Sequence, residues 1–277
     1  MRNNDMLDLS VVVPTRNAET MIGECLEAIL RSSPRETLVV DGLSTDATLE
    51  IARRYPVRIL SDEGRGLPAA RLIGAEAARS SRVALVDVDV VLFDGALRHL
   101  LAEFEDGEYA ALQAGLDSVS GPGYWGRALA DHHRSGRSKH WFGLVATIFD
   151  RATLLEYGFD ARFLSGEDVE LRYRLEQAGA RIGVSRETVV THRFGDTFDF
   201  AKGQWLADGH GHGRMIRKHG ARGWRHALIP LAATGRGIVL SALRRQPQWM
   251  PYYLCFLVFN YLGVARELTA AAKGEAR

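Results

Sequence analysis

Along the chain, short runs of continuous apolar residues alternate with stretches whose apolar positions recur at helical spacing. Leu9 to Pro14 is a β-branched run, after which Ile22, Leu26, Ile29 and Leu30 mark one face of a helix over 19–30. Thr37 to Asp41 and Val57 to Ser61 repeat the strand pattern, with a helix at Ser44 to Arg54 between them. Pro68 suits the first turn of a helix running to about Ala78, because its missing N–H is not needed there. Arg82 to Asp87 reads as a further buried strand, stopped by the acidic triplet Asp87-Val88-Asp89. Apolar strands separated by helices predict βαβ units, hence an α/β fold with a mostly parallel central sheet flanked by helices.

Gly121 to Arg137 is basic and glycine-rich, so it is expected to be an irregular loop at the active site or toward an acceptor. Regular signals resume with a strand at Val145 to Phe149 and a short helix at Ala152 to Tyr157. A helix follows at Asp168 to Ala178, with Leu171 and Leu175 on one face and Gly179 closing it. Arg181 to Val184 and Thr188 to Thr191 read as two short strands. After His192 the chain becomes polar and glycine-rich, and the run Asp208-Gly-His-Gly-His-Gly-Arg214 fits a flexible loop. From about His226 it reads as helices with broad apolar faces. The expected division is a catalytic domain over 1–225 and a helical tail over 226–277.

The 35 Lys+Arg balance 34 Asp+Glu, so charge supplies no reason to expect a nucleic-acid partner. Cys25 and Cys255 are far apart in apolar surroundings, which fits neither a disulfide framework nor a zinc site, and points to a reducing compartment. Met1 to Asp8 carries charges and no apolar core, so no signal peptide is expected and the catalytic part is placed in the cytoplasm. Gln246 to Ala265 holds no charged residue and is taken as the one candidate membrane segment. Pro247, Pro251 and Asn260 argue against a simple spanning helix. Attachment along the inner face of the plasma membrane is preferred to soluble or dimeric packing and to a true span, with Leu228 to Leu243 as an amphipathic companion.

The candidate chemistry sits where strands end, since ligands of open α/β sheets bind outside the carboxyl ends of the strands. Those ends carry Pro14-Thr15-Arg16-Asn17, Asp41-Gly42-Leu43-Ser44-Thr45-Asp46 and Asp87-Val88-Asp89. Ser44 and Asp46 are equally readable as turn or capping residues. Asp87 and Asp89 are two apart and face one side of an extended segment, so they are either an acidic turn or a pair whose repulsion a cation relieves. Gly166-Glu167-Asp168 opens a helix, where a carboxylate is either an N-cap or a general base at the mouth of the crevice. His210 and His212 lack a third ligand at a fixed spacing, which disfavours a metal site there. Trp125, Trp141 and Trp205 are candidates for stacking on a ligand, against the more common fate of burial.

Taken in order, Ser-Val-Val-Val-Pro-Thr-Arg-Asn-Ala-Glu at 10–19, Val-Asp-Gly-Leu-Ser-Thr-Asp-Ala-Thr at 40–48, Ala-Arg-Leu-Ile-Gly at 70–74, Asp-Val-Asp at 87–89 and Gly-Glu-Asp-Val-Glu-Leu-Arg-Tyr-Arg-Leu at 166–175 resemble the family-two glycosyltransferases of GT-A fold. The resemblance covers roughly Leu9 to His192. It implies an inverting enzyme that moves a sugar from a nucleoside-diphosphate sugar, UDP-linked before GDP- or dTDP-linked, to a hydroxyl of a glycan, lipid-linked or small-molecule acceptor. It places Pro14, Thr15, Arg16 and Asp41 at the donor nucleotide, Arg71 at its phosphates, and Asp87 toward the ribose. Asp89, with Asp87 and His192, would hold Mn²⁺ or Mg²⁺, and Asp168, supported by Glu167, would be the catalytic base. Beyond the reach of the resemblance, the segment between His192 and Gly220 is expected to close over the donor, with Arg214 or Lys218 reaching its phosphates.

Gly42 and Leu72 stand where many relatives carry an acidic residue and an Asn, so base selectivity is open. The Gln-x-x-Arg-Trp motif of processive synthases is missing, since only Gln204-Trp205 occurs. Peripheral membrane contact and a homodimer stay open as further partners. The rival of another class is a non-catalytic nucleotide-sugar-binding scaffold, against which the intact Asp87, Asp89 and Asp168 speak. No Gly-x-Gly-x-x-Gly follows the first strand, which disfavours a nicotinamide oxidoreductase.

Overall fold

The structure is a computed structural model that describes residues 6–135 and 142–272. In chain order the strands and helices are β1 (Leu7–Thr15), α1 (Ile22–Arg31), β2 (Pro34–Asp41), α2 (Thr48–Ala52), β3 (Arg58–Ser61), α3 (Leu67–Ala77), β4 (Arg82–Val86), β5 (Val90–Val91), α4 (Ala96–Asp106) and β6 (Ala111–Ser120). They continue with α5 (Tyr124–Ser135), β7 (Ala146–Asp150), α6 (Arg151–Tyr157), α7 (Glu167–Gln177), β8 (Ile182–Phe194), α8 (Phe198–His219), α9 (Ile229–Leu243) and α10 (Met250–Ala272). The chain groups into two compact units. Among the described residues the first comprises 6–117, 142–161 and 171–193, and the second 118–135, 162–170 and 194–272.

The first unit holds the sheet, ordered β3-β2-β1-β4-β7-β6-β8-β5. Its β3-β2-β1-β4 part is parallel, and β7 then runs antiparallel to β4 and to β6. The sequence dictates burial on both faces, because alternate residues of the same strands enter different cores. Val11, Val13, Val39, Ala84 and Val86 pack with α1 and α4, through Ile22, Leu26, Leu97 and Leu100. Val12, Leu38, Val40, Val83 and Leu85 point the other way, onto Ala70 of α3, Leu154 of α6, and Leu171 and Leu175 of α7. Continuous apolar runs, not alternating ones, are what a two-sided sheet requires.

The second unit is helical. Its core is aromatic, with Trp205 fully buried among Trp125, Phe198, Tyr252 and Phe259.

Several expectations are corrected. The stretch expected to be irregular from Gly121 contains α5, whose Ala128, Leu129 and Ala130 are buried. The end of that stretch, at 136–137, lies outside the described residues. The glycine-rich loop expected after His192 is the 22-residue helix α8, capped by Thr197, whose side chain accepts from Phe200 N–H. Glycine lowers helix propensity by about 1 kcal/mol per site, but here Gly209, Gly211 and Gly213 each admit a neighbour. A Cβ at Gly209 would lie 2.1 Å from the carbonyl oxygen of Asn260, and one at Gly213 would lie 2.8 Å from Glu267 Cβ. The two short strands read over 181–191 are the single strand β8, and α4 and β6 were not anticipated. Among the described residues the helical run long and apolar enough to cross a membrane is Phe198–Leu243, not Gln246 to Ala265.

The tightest approach in the first unit is α3 against β1, where a Cβ on Gly74 would lie 2.2 Å from Val12 Cγ1. Gly74→Ala is expected to cost about 1–3 kcal/mol through overpacking, measured as a lowered urea midpoint at unchanged slope.

Candidate active site

The ends of the parallel strands lie side by side because β1 and β2 are in register at Thr15 and Asp41. Gly42 N–H donates to Thr15 O at 2.8 Å, and Asp62 N–H donates to Asp41 O at 3.0 Å, so three strands end on one hydrogen-bonded rim. Pro14, Thr15 and Asp41 are buried there, while Arg16 is exposed beside Gly42. One Asp41 oxygen accepts from Ser44 N–H at 3.0 Å. The other, Oδ1, is buried with no hydrogen-bond partner among the described residues, as is Thr15 Oγ1. Buried polar oxygens without partners are costly, and two of them on one rim make it a candidate site for a ligand that supplies donors. Asp41 also edges a depression of about 510 Å³ whose walls include Leu43, Leu49, Ile59 and Leu60.

The two loops that leave this rim are laced together. Asn17 N–H donates to Ser44 Oγ, Thr45 N–H donates to Asn17 Oδ1, and Glu19 N–H donates to Asp46 Oδ2. Asp46 Oδ1 also accepts from both the N–H and the hydroxyl of Thr48. Ser44 and Asp46 therefore act as turn and loop residues, the simpler of the two readings. Asp62, which the sequence reading passed over, is buried and accepts from Gly64 and Gly66 N–H, folding the loop after β3. Its signal was the glycine pair, since Gly64 and Gly66 both have positive φ.

The fourth strand end carries the acidic triplet. Arg71, on α3 and 2% exposed, directs Nη2 at both oxygens of Asp87, at 2.9 and 3.0 Å. Burial pushes the Asp87 carboxyl up from the ordinary range; Arg71 opposes the rise and Asp89 adds to it. Asp89 is brought to His192 by antiparallel pairing of β5 with β8, in which Val90 faces His192 and Arg193 N–H donates to Asp89 O at 3.0 Å. His192 Nε2 lies 3.4 Å from Asp89 Oδ2, and Asp89 Oδ1 is buried without a hydrogen-bond partner among the described residues. The negative field reaches Cys25, whose thiol is pushed up to about 12 by burial first and then by Asp89 and Asp87.

In the second unit, Gly166 at φ 75° leads into α7. Because the helix starts at Glu167, Asp168 is a first-turn residue and not its cap, a correction to the capping alternative. Glu167 is buried, Asp168 half-buried. The segment is clamped by α8: Ser165 Oγ donates to Ala207 O at 2.9 Å, and a Cβ on Gly166 would lie 2.8 Å from Gly211 Cα. Glu170, fully buried, binds Lys218 Nζ at 2.5 Å, with His219 Nε2 at 3.8 Å. Asp208 is a residue that sequence reasoning missed; its carboxyl is pushed up to about 7, by desolvation first and then by the charge of Asp168.

Arg214 pairs with the buried Glu267 at 3.2 Å, where Arg217 at 2.6 Å and His210 at 3.4 Å join it. His212 lies against His226, and burial holds it down to about 4. Trp205 is core, and Trp125 packs edge-on against it. Trp141 lies outside the described residues. Among the described residues no three His, Cys, Asp or Glu side chains converge as a ready-made metal cage.

Arg71→Met removes the buried guanidinium from the half-buried Asp87 carboxylate. The expected loss is about 3 kcal/mol of unfolding free energy, shrinking as the pH is lowered and the raised Asp87 carboxyl takes up a proton, read by urea titration across pH.

The family model described as Glycosyl transferase family 2 matches residues 10–222. The succinoglycan biosynthesis protein ExoA of Rhizobium meliloti is 28% identical over 269 residues, covering 87% of this chain and 79% of its own. The glycosyltransferase AglE of Haloferax volcanii is 27% identical, covering 72% and 75%. Among solved structures, the mannosyltransferase PcManGT of Pyrobaculum calidifontis superposes with a TM-score of 0.64 at 19% identity, over 93% of this chain and 87% of that one. Glucosyl-3-phosphoglycerate synthase of Mycobacterium tuberculosis gives 0.56 at 19% identity, over 76% and 78%. These structures share the GT-A fold of the first unit's sheet and helices. With more than two thirds of its length matched and its strand-end carboxylates in order, the chain belongs to glycosyl transferase family 2 and is a glycosyltransferase.

Proposed function

We propose that the protein transfers a sugar from a nucleoside-diphosphate sugar to an acceptor hydroxyl with inversion at the anomeric carbon. The observation that carries the donor half is the set of unpartnered buried oxygens along the strand ends: Thr15 Oγ1, Asp41 Oδ1 and Asp89 Oδ1. Thr15 and Asp41 accept N–H or O–H groups of the base or ribose, and the apolar walls of the neighbouring depression suit the flat face of a base. Pro14 and Arg16 border the same rim, and Asp87 turns toward the ribose side. Arg71 holds Asp87 in place and adds positive charge beneath the diphosphate. Comparable structures bear on donor and metal, since PcManGT was solved with GDP-Man and Mn²⁺, and the mycobacterial synthase with UDP and Mn²⁺. A UDP-sugar is the preferred donor, ahead of GDP- and dTDP-sugars.

The residues present fit a divalent cation. A carboxylate with one free buried oxygen beside an imidazole suits Mn²⁺ better than Mg²⁺. Two protein donors in place of a full cage leave positions for phosphate oxygens. Asp89 and His192 would hold the ion with Asp87 adjacent, and when bound it supplies positive charge to the departing diphosphate. Asp168 takes the proton of the acceptor hydroxyl as that oxygen bonds to the anomeric carbon and the bond to the diphosphate breaks. Glu167 and the Glu170–Lys218 pair fix the turn that presents Asp168.

Two variants separate the halves of this reading. Asp168→Asn should retain the rise in melting temperature caused by UDP, GDP or dTDP while losing about 10²- to 10⁴-fold in turnover; full turnover would remove Asp168 as the base. Asp89→Asn should lose the part of that thermal shift that requires Mn²⁺, measured by scanning fluorimetry with and without metal; an unchanged metal-dependent shift would place the ion elsewhere.

A further inference from the structure

The helix α9 of the second unit is built inside out, and α10 beside it shares an exposed aliphatic row. On α9 the buried positions are Pro230, Thr234, Gly237 and Ser241, while Leu231, Val239 and Leu243 are 53%, 57% and 75% exposed. Those three leucine and valine positions fall on one row with a spacing of four, completed by Gly235. The small inward residues serve close packing: a Cβ on Gly237 would lie 2.0 Å from the Tyr253 ring, Thr234 Oγ1 donates to Tyr253 O, and Ser241 Oγ donates to Gly237 O. α10 turns Tyr252, Tyr253, Phe256 and Val264 inward, yet it too leaves an aliphatic row outside. Asn260 is fully buried and donates to Phe256 O, Glu267 is buried on Arg217, and Leu254 and Val258 are 55% and 60% exposed, with Leu262 following at the same spacing.

A helix packed for water turns its leucines inward and its polar residues outward. Small and hydrogen-bonded residues between helices with aliphatic residues outside is the arrangement suited to lipid. The charges around these helices agree. From Gly209 to Arg266 the sequence contains no Asp or Glu, and Arg222, Arg225, Arg236, Arg244, Arg245 and Arg266 are all exposed. An identical copy would bring a second arginine set against the first, so self-association through this region is disfavoured and a negatively charged surface favoured. By itself α9, at 15 residues, is about 22 Å long and short of the roughly 30 Å hydrocarbon core, and α10, although 23 residues long, packs Tyr252, Tyr253 and Phe256 into the unit's own core, so both helices are suited to lying in-plane.

We infer that the exposed aliphatic rows of α9 and α10, with their arginine flanks, dock the protein in-plane on a phospholipid bilayer bearing anionic headgroups. This rests on the second unit alone and is independent of the donor chemistry. The full chain is mixed with vesicles of phosphatidylcholine, or of phosphatidylcholine with phosphatidylglycerol, and floated on a density gradient. Flotation with the anionic vesicles is expected, weakening as salt is raised. Arg244→Gln with Arg245→Gln should weaken it about thirtyfold, at roughly fivefold per arginine. Leu231→Ser with Val239→Ser and Leu243→Ser should weaken it about tenfold or more, with the melting temperature unchanged because all three side chains face outward. Wild-type protein that stays at the bottom of the gradient with anionic vesicles overturns the inference, as does equal flotation of both variants. A wild-type dimer that the triple serine variant splits, without vesicle binding, assigns the face to a second copy instead.

Discussion

Burial of the parallel strands on both faces governs this molecule. Val12 and Val13 enter different cores, as do Val39 and Val40, so the middle of each strand admits only small hydroxyl groups such as Ser10 and Thr37 and no charge. Polar side chains can then gather only beyond the strand ends, where Thr15, Asp41, Asp62 and Asp87 stand. The same constraint explains why those groups are held so firmly. A carboxylate next to a two-sided core is tolerable only with partners, and Asp41, Asp62 and Asp87 each have them, in backbone amides or a guanidinium. What is left over, the unpartnered oxygens of Thr15, Asp41 and Asp89, is the chemistry available to a ligand.

The acidic triplet shows how one short turn divides its labour. Asp87 is committed to Arg71 through both oxygens, whereas Asp89 has one oxygen near His192 and one without a partner. Two residues apart in sequence, they differ because α3 supplies a cation to one and β8 supplies an imidazole to the other. A carboxylate already matched by a guanidinium has less to offer a metal than one that is not, which is why Asp89 is the stronger ligand candidate.

The second unit uses glycine for a different end. Gly209, Gly211 and Gly213 lie on a helix, where two of them admit α10 and the third admits the Ser165-Gly166 segment in front of Asp168. The resulting contacts bring Lys218 to Glu170 and Arg217 to Glu267, so the basic residues of α8 are spent on buried glutamates within the unit. A segment that is flexible by composition is thereby a rigid support for the turn carrying the candidate base.

The parallel strands β1 to β4, the polar strand ends and the family were legible in the sequence, because each depends on local periodicity or on motifs of fixed spacing. Thr37 to Asp41 and Arg82 to Asp87 could be read one segment at a time, and Pro68 marked its helix without help from elsewhere. The lacing of Asn17 to Ser44, the pairing of Asp89 with His192 and the helical state of 198–219 were decided by tertiary structure. Each depends on partners tens of residues away: glycine-rich residues are helical only where another backbone lies against them, and an aspartate's role is set by which cation the fold brings to it. The reversed polarity of α9 was hidden for a similar reason, since composition reports how apolar a helix is and only packing reports which side faces out.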